Sequence, residues 1–270
     1  MADEVAAKAA RRAEGNEPLR FLARAGFVAN GLLHGVIGAI AISVALGGGG
    51  AEADQSGALR QLGAAPGGAV LLWMIVVGMA ALGLWQIVQI FVIVGPDPKR
   101  KWAHRLGELG KAVAYFAVAA IAFIFASGGS TSSADATQDF SASLLAAPGG
   151  VVLLIAIGLT VGCIGGYFVF KGATQKFTDD IVVPPGATGA VITTVGMLGY
   201  IAKGVALGIV GILFVVAAVT FDPSKATGLD GALKSLVALP YGAVILSVVG
   251  LGLIAYGAYC CARARFARLS

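Results

Sequence analysis

Six long apolar runs decide what this chain can fold into. They cover approximately 27–46, 69–94, 109–127, 149–170, 190–219 and 242–261. Each approaches or exceeds the roughly 20 residues that a helix needs to cross a bilayer. Backbone inside lipid must satisfy its own hydrogen bonds, so runs of this length are read as helices. Charge agrees with length: only 12% of the residues are charged, about half of the roughly 25% that a soluble domain uses. The expected fold class is all-α, a polytopic membrane protein with six transmembrane helices. Forty glycines fit close helix packing in lipid, and Gly78, Gly83, Gly158 and Gly162 stand within spans where they would serve it.

The segments between the runs carry the orientation. Of 19 Lys and Arg, 14 lie in the N-terminal segment, in 95–107, in 171–186 and in the C-terminal tail, and the alternate loops hold only Arg60, Lys225 and Lys234. Short flanking segments rich in Lys and Arg stay on the cytoplasmic side. Both termini are therefore expected on the cytoplasmic side of the membrane. The net charge of +5 is spread beside the spans and forms no separate basic domain, which argues against nucleic acid as a partner. Membrane lipids and other membrane proteins are the expected partners.

A short motif repeats. Ala65-Pro66-Gly67-Gly68 returns as Ala147-Pro148-Gly149-Gly150 and, more loosely, as Leu239-Pro240-Tyr241-Gly242. Aligning the prolines superimposes Leu62, Leu144 and Leu236 before them, and Gly83, Gly165 and Gly257 after them. Trp85, Tyr167 and Tyr259 follow in register, and Gly26, Gly110 and Gly199 match near the starts of spans one, three and five. Each unit reads as helix, loop, short amphipathic helix, helix. Two spans per unit insert every unit in the same direction, so the copies are related by an axis along the membrane normal. The expectation is a pseudo-threefold bundle of three two-helix repeats, with the short helices on the extracytoplasmic surface. The organisation is a segment at 1–20, repeats at 21–95, 96–172 and 173–262, and a basic tail at 263–270. Residues 5–14 are expected to form a short helix that ends before Pro18.

The third repeat reads LGYIAKGV at 198–205, GALKSL at 231–236, Pro240, Gly242, GLIAYG at 252–257 and ARAR at 262–265. Together these stretches resemble the triple-repeat bacterial membrane family catalogued as domain of unknown function 1206, over roughly residues 20–268. The resemblance implies six membrane helices and supplies no assigned activity, so it carries no catalytic residue over to this chain. Repeat one departs from repeat three with Asn30 in the place of Lys203, and repeat two departs further with Ala114.

Few residues stand out for chemistry. A lysine near the bilayer centre costs about 2.5–3.5 kcal/mol on insertion scales. Lys203 lies roughly 20 Å inside if span five begins at Ala190, and one turn inside if it begins near Gly199. The second placement, with the amine snorkelling to the cytoplasmic interface, is the expectation. Asn30, His34 one turn further on the same face, and Lys203 form a candidate polar intramembrane cluster, with His34 hydrogen-bonded to a neighbouring helix. Lys99, Arg100, Lys101, Trp102 and Arg105 form a candidate contact for anionic lipid or a partner, though such residues also serve as ordinary topogenic charge and an interfacial anchor. Cys163, Cys260 and Cys261 match no disulfide or metal pattern. Cys260-Cys261 could accept palmitate, although unmodified thiols are the plainer expectation. No acid lies deep in a span, which argues against ion-coupled transport. Without a nucleophile motif, a metal set or a phosphate loop, no cofactor and no enzymatic activity are expected. The functional expectation is a non-catalytic accessory or scaffold component. The alternative is a small channel or carrier for a lipid or small molecule along the repeat axis.

Overall fold

The computed structural model describes residues 17–92 and 98–267. Among them are nine α-helices: α1 Glu17–Ala45, α2 Gln55–Ala64, α3 Gly68–Val92, α4 Pro98–Ala126, α5 Ser133–Ala146, α6 Gly150–Ala173, α7 Ala187–Thr220, α8 Gly228–Ser235 and α9 Gly242–Phe266. Six of them (α1, α3, α4, α6, α7 and α9) are long and apolar enough to cross a membrane. The other three are short, and each precedes the second long helix of its repeat.

The repeated proline motif is a turn with a fixed geometry. Gly68 N–H donates to Ala65 O at 2.8 Å, Gly150 to Ala147 at 3.0 Å and Gly242 to Leu239 at 2.8 Å. Proline at the second position, and a third residue at φ +76°, +76° and +60°, give the form of a type II turn. Gly67 and Gly149 adopt that φ without penalty, and Tyr241 adopts it in the third copy at a steric cost of roughly 1–2 kcal/mol. The fourth residue is glycine in every copy because a Cβ there would strike a carbonyl oxygen of the preceding short helix or the turn after it. The motif thus reverses the chain sharply at three equivalent places.

The long helices follow one another around the bundle. α3 packs on α4, α6 on α7 and α9 on α1, joining neighbouring repeats, while α1–α3 and α7–α9 join helices within a repeat. Glycines bring the backbones together: a Cβ on Gly257 would lie 2.5 Å from Gly31 O, and one on Gly165 would lie 2.6 Å from Gly208 N. Close approach of small residues is how helices associate in lipid, where the hydrophobic effect gives them no help. Leu33, Ile37, Ile75, Met79, Leu82 and Leu246 fill the core between these contacts. One seam of the ring differs. Among the described residues α4 and α6 form no packed interface, and only 17% of each span is buried, against 50% or more of α1, α3 and α9.

The three short helices gather at one end. Ser56 of α2 and Ser133 of α5 share a hydrogen bond at 2.7 Å, and Ala53 N–H donates to Asp230 of α8 at 2.7 Å. α2 and α5 are capped by side chains, Asp54 accepting from Gly57 N–H and Ser132 from Asp135 N–H. At the other end, α7 overhangs α6 by about ten residues. The segment 176–181 folds back over the overhang and pairs with the end of α9 through Val182 N–H to Phe266 O at 2.8 Å.

Two local readings change. Segment 95–107 was expected as a loop, but the basic run from Pro98 onward is the first part of α4, because proline is at home in a helix's first turn. Segment 171–186 was expected as a polar loop, yet it carries Phe177, which is fully buried. The expected helix at 5–14 lies outside the described residues.

Candidate functional site

Near the end of the bundle away from the short helices, side chains from α1, α6, α7 and α9 converge on an aromatic cluster. Phe177, Tyr200, Tyr256 and Tyr259 form its body, with Phe177 stacked on Tyr200 at 5.2 Å between centroids and edge-on to Tyr259 at 5.2 Å. Tyr259 Oη donates to Phe177 O at 3.1 Å, which pins the folded-back segment to α9. Tyr256 and Tyr259 stand one turn apart on α9, and Tyr200 comes from α7.

The polar residues singled out in the sequence meet at this cluster. Asn30 Nδ2 donates to Cys260 Sγ at 3.4 Å. His34 Nδ1 lies 2.9 Å from Asn30 O. A carbonyl only accepts, so Nδ1 carries the proton. The hydrogen bond of His34 therefore stays within α1, and its contact with a neighbouring helix is the ring of Tyr256, 4.7 Å between centroids. Tyr256 also receives Lys203, whose Nζ lies 4.2 Å from its centroid and 5.4 Å from that of Phe168. Gly204, next to Lys203, packs against Gly165 and Val169. Lys203 thus sits four to eight residues, roughly 6–12 Å, in from the end of α6. Aromatic faces hold the amine within the bundle, an arrangement worth on the order of 0.5–2 kcal/mol.

Further cations surround the same place. Lys171 Nζ donates to Asp180 Oδ2 at 2.7 Å and lies 5.5 Å from the Tyr200 centroid. Arg263 reaches the same Asp180 oxygen at 3.8 Å and covers the ring of Phe27 at 4.6 Å. The Nε of Arg263 is buried with no hydrogen-bond partner among the described residues. None of Lys171, Asp180, Phe177 or Arg263 was singled out in the sequence. For the two cations, a signal existed in that Lys171 and Arg263 close the apolar runs of α6 and α9. For Phe177, a lone aromatic in a polar segment gave none.

The start of α4 is a separate site. Trp102 is 61% exposed, and the Arg105 guanidinium lies 5.7 Å from its ring. Lys101 is half-buried, and Lys99 and Arg100 belong to the first turn of α4, but their side chains lie outside the described part. Among the described residues, no group of three or more His, Cys, Asp or Glu could hold a metal. The three cysteines are free, Cys260 buried and Cys163 and Cys261 exposed.

Six apolar membrane-length helices in three like-directed repeats, joined by one repeated turn, define a multi-pass helical membrane protein. The chain belongs to the DUF1206 family, described as a Domain of Unknown Function, whose model matches at 25–91, 106–175 and 198–267. Each match spans the two long helices of one repeat and the short helix between them. A relative, Uncharacterized protein YxxB of Bacillus subtilis (strain 168), is 32% identical over 249 residues, covering 87% of this chain and 86% of the relative. No solved structure matches the chain.

Proposed function

We propose that the protein is a non-catalytic accessory or scaffold component of an assembly in a bacterial cytoplasmic membrane, with both termini in the cytoplasm. The observation that carries this reading is the contrast between locked and open helix faces. Backbone-to-backbone glycine contacts fix α9 on α1 and α6 on α7, and the short helices tie all three repeats at one end. α4 and α6 face outward instead, with Val113 and Leu159 among their exposed residues. A rigid frame that leaves one face of each of two helices uncovered is suited to holding a membrane helix of another protein.

Photo-crosslinking amino acids at Val113 and Leu159 test this in native cells, with Ile212 of α7 and Val248 of α9, both exposed, as controls. The expected result is a discrete adduct with one membrane protein from the first pair and none from the controls. Identical adducts from all four positions, or none from Val113 and Leu159, overturn the reading.

A further inference from the structure

The aromatic cluster holds more positive charge than it can neutralise. Lys171, Lys203 and Arg263 surround it, and Asp180 is the one acid among the described residues that pairs with any of them. Lys171 takes that carboxylate at 2.7 Å, which leaves Arg263 at 3.8 Å. Lys203 has no ion pair among the described residues and meets aromatic faces. Inside a bundle, a charge without a counter-ion is expensive, and hydrogen-bonded pairing with an anion offsets the cost. Access remains, because the side chains of Lys171 and Arg263 keep 15% and 25% of their surface exposed.

The cations are also ordered along the length of the helices. Lys171 and Arg263 stand within three residues of the ends of α6 and α9, and Lys203 lies farther in. Ile164, Tyr167 and Phe170 of α6 are exposed beside this end and present an apolar surface to acyl chains. Ammonium and guanidinium donors grouped in this way match the oxygens of a phosphate.

We infer that Lys171, Lys203 and Arg263 form a binding site for the phosphate group of an anionic phospholipid, held at the rim of the aromatic cluster. The site is distinct from the basic start of α4, and it goes beyond the scaffold reading, since a bound lipid and a protein partner are separate ligands.

Native mass spectrometry of the detergent-purified full chain, with phosphatidylglycerol, phosphatidylcholine or inorganic phosphate added, tests it. The expected result is one phosphatidylglycerol retained, about tenfold more tightly than phosphatidylcholine. Lys203→Gln and Arg263→Gln each lose that preference, Lys203→Arg keeps it, and Lys99→Gln/Arg100→Gln/Lys101→Gln leaves it unchanged. Equal affinity of the unmodified protein for both lipids overturns the proposal whether or not the variants fold. So does loss of the preference in the α4 variant alone. Displacement of the lipid by inorganic phosphate assigns the site to free phosphate and overturns the lipid as its source.

Discussion

Replacing Asp54 with asparagine probes the end of the bundle where the short helices meet. Asp54 is 1% exposed. One carboxylate oxygen caps α2 by accepting Gly57 N–H at 3.0 Å, and the other is buried without a hydrogen-bond partner among the described residues. Asp230 accepts from Ala53 N–H and from Lys234 Nζ at 2.8 Å, and Glu52 pairs with Arg60 at 3.5 Å. Burial first, and then the charges of Glu52 and Asp230, raise the Asp54 carboxyl from 3.8 to about 6, against the pull of the Gly57 and Ser56 backbone. An acid whose pKa is raised by folding favours the folded state while protonated and opposes it once ionised. The contribution of Asp54 to stability should therefore be most favourable below about pH 4 and fall as pH rises to about 6. At ~1.4 kcal/mol per pH unit, the ionised group costs about 3 kcal/mol above that window. Asp54→Asn keeps the capping oxygen and removes the charge, so it should gain on the order of 3 kcal/mol at about pH 7.5 and nothing near pH 4. Asp54→Ala removes the charge together with the cap, and gives back about 1 kcal/mol of that gain. Thermal unfolding in detergent, followed by tryptophan fluorescence across that range, reads both. A difference between the unmodified protein and Asp54→Asn that does not grow with pH, or a loss of stability in Asp54→Asn at about pH 7.5, refutes the reasoning.

Two further outcomes follow from the packing and from the short helices. Gly257→Leu forces a side chain onto Gly31 O and should cost roughly 1–3 kcal/mol. A Cβ at Gly110 meets none of the described residues, so Gly110→Ala should be neutral or gain up to about 1 kcal/mol; equal effects of the two changes in the same unfolding assay would contradict the packing argument. Ser56→Cys with Ser133→Cys places two thiols where the hydroxyls now lie 2.7 Å apart, and should yield a linked peptide by mass spectrometry after oxidation. Closure by a membrane-impermeant oxidant in intact cells places the short helices outside, whereas closure only by a permeant oxidant reverses the proposed orientation.

The architecture was legible because its signals are local. A span announces itself by length and lack of charge, and the Ala-Pro-Gly-Gly turn by residues that only a reversal needs. Asn30, His34 and Lys203 were legible as polar residues in apolar runs. Their meeting at Tyr256 and Cys260 was not, because it depends on α9 packing between α1 and α7. Asp54 and Asp230 were hidden for the same reason: the bond that joins their segments spans 177 positions in the sequence. Phe177 reads as part of a polar segment until the chain folds back, and Lys171 reads as a charge that marks a span's end until Asp180 and Tyr200 come beside it.

Repeat two explains why the ring is not uniform. In repeats one and three the first helix presses a glycine on its own hairpin partner, Gly26 against Gly78 and Gly199 against the Tyr256 backbone. A Cβ on the equivalent Gly110 meets none of the described residues. At the next aligned position, Asn30 and Lys203 both reach α9, and repeat two has Ala114. Its two long helices have taken other duties, α4 against α3 and α6 against α7, so that each serves a neighbouring repeat. What joins them is α5, which meets α2 through Ser133 and packs on α6 and α8. The α4–α6 seam is therefore bridged at one end of the bundle, by the same short helices whose contacts with Asp230 and Ser56 link all three repeats. A change that loosens those contacts should be felt first at the seam, and only afterwards at the glycine-locked interfaces of α9 with α1 and of α6 with α7.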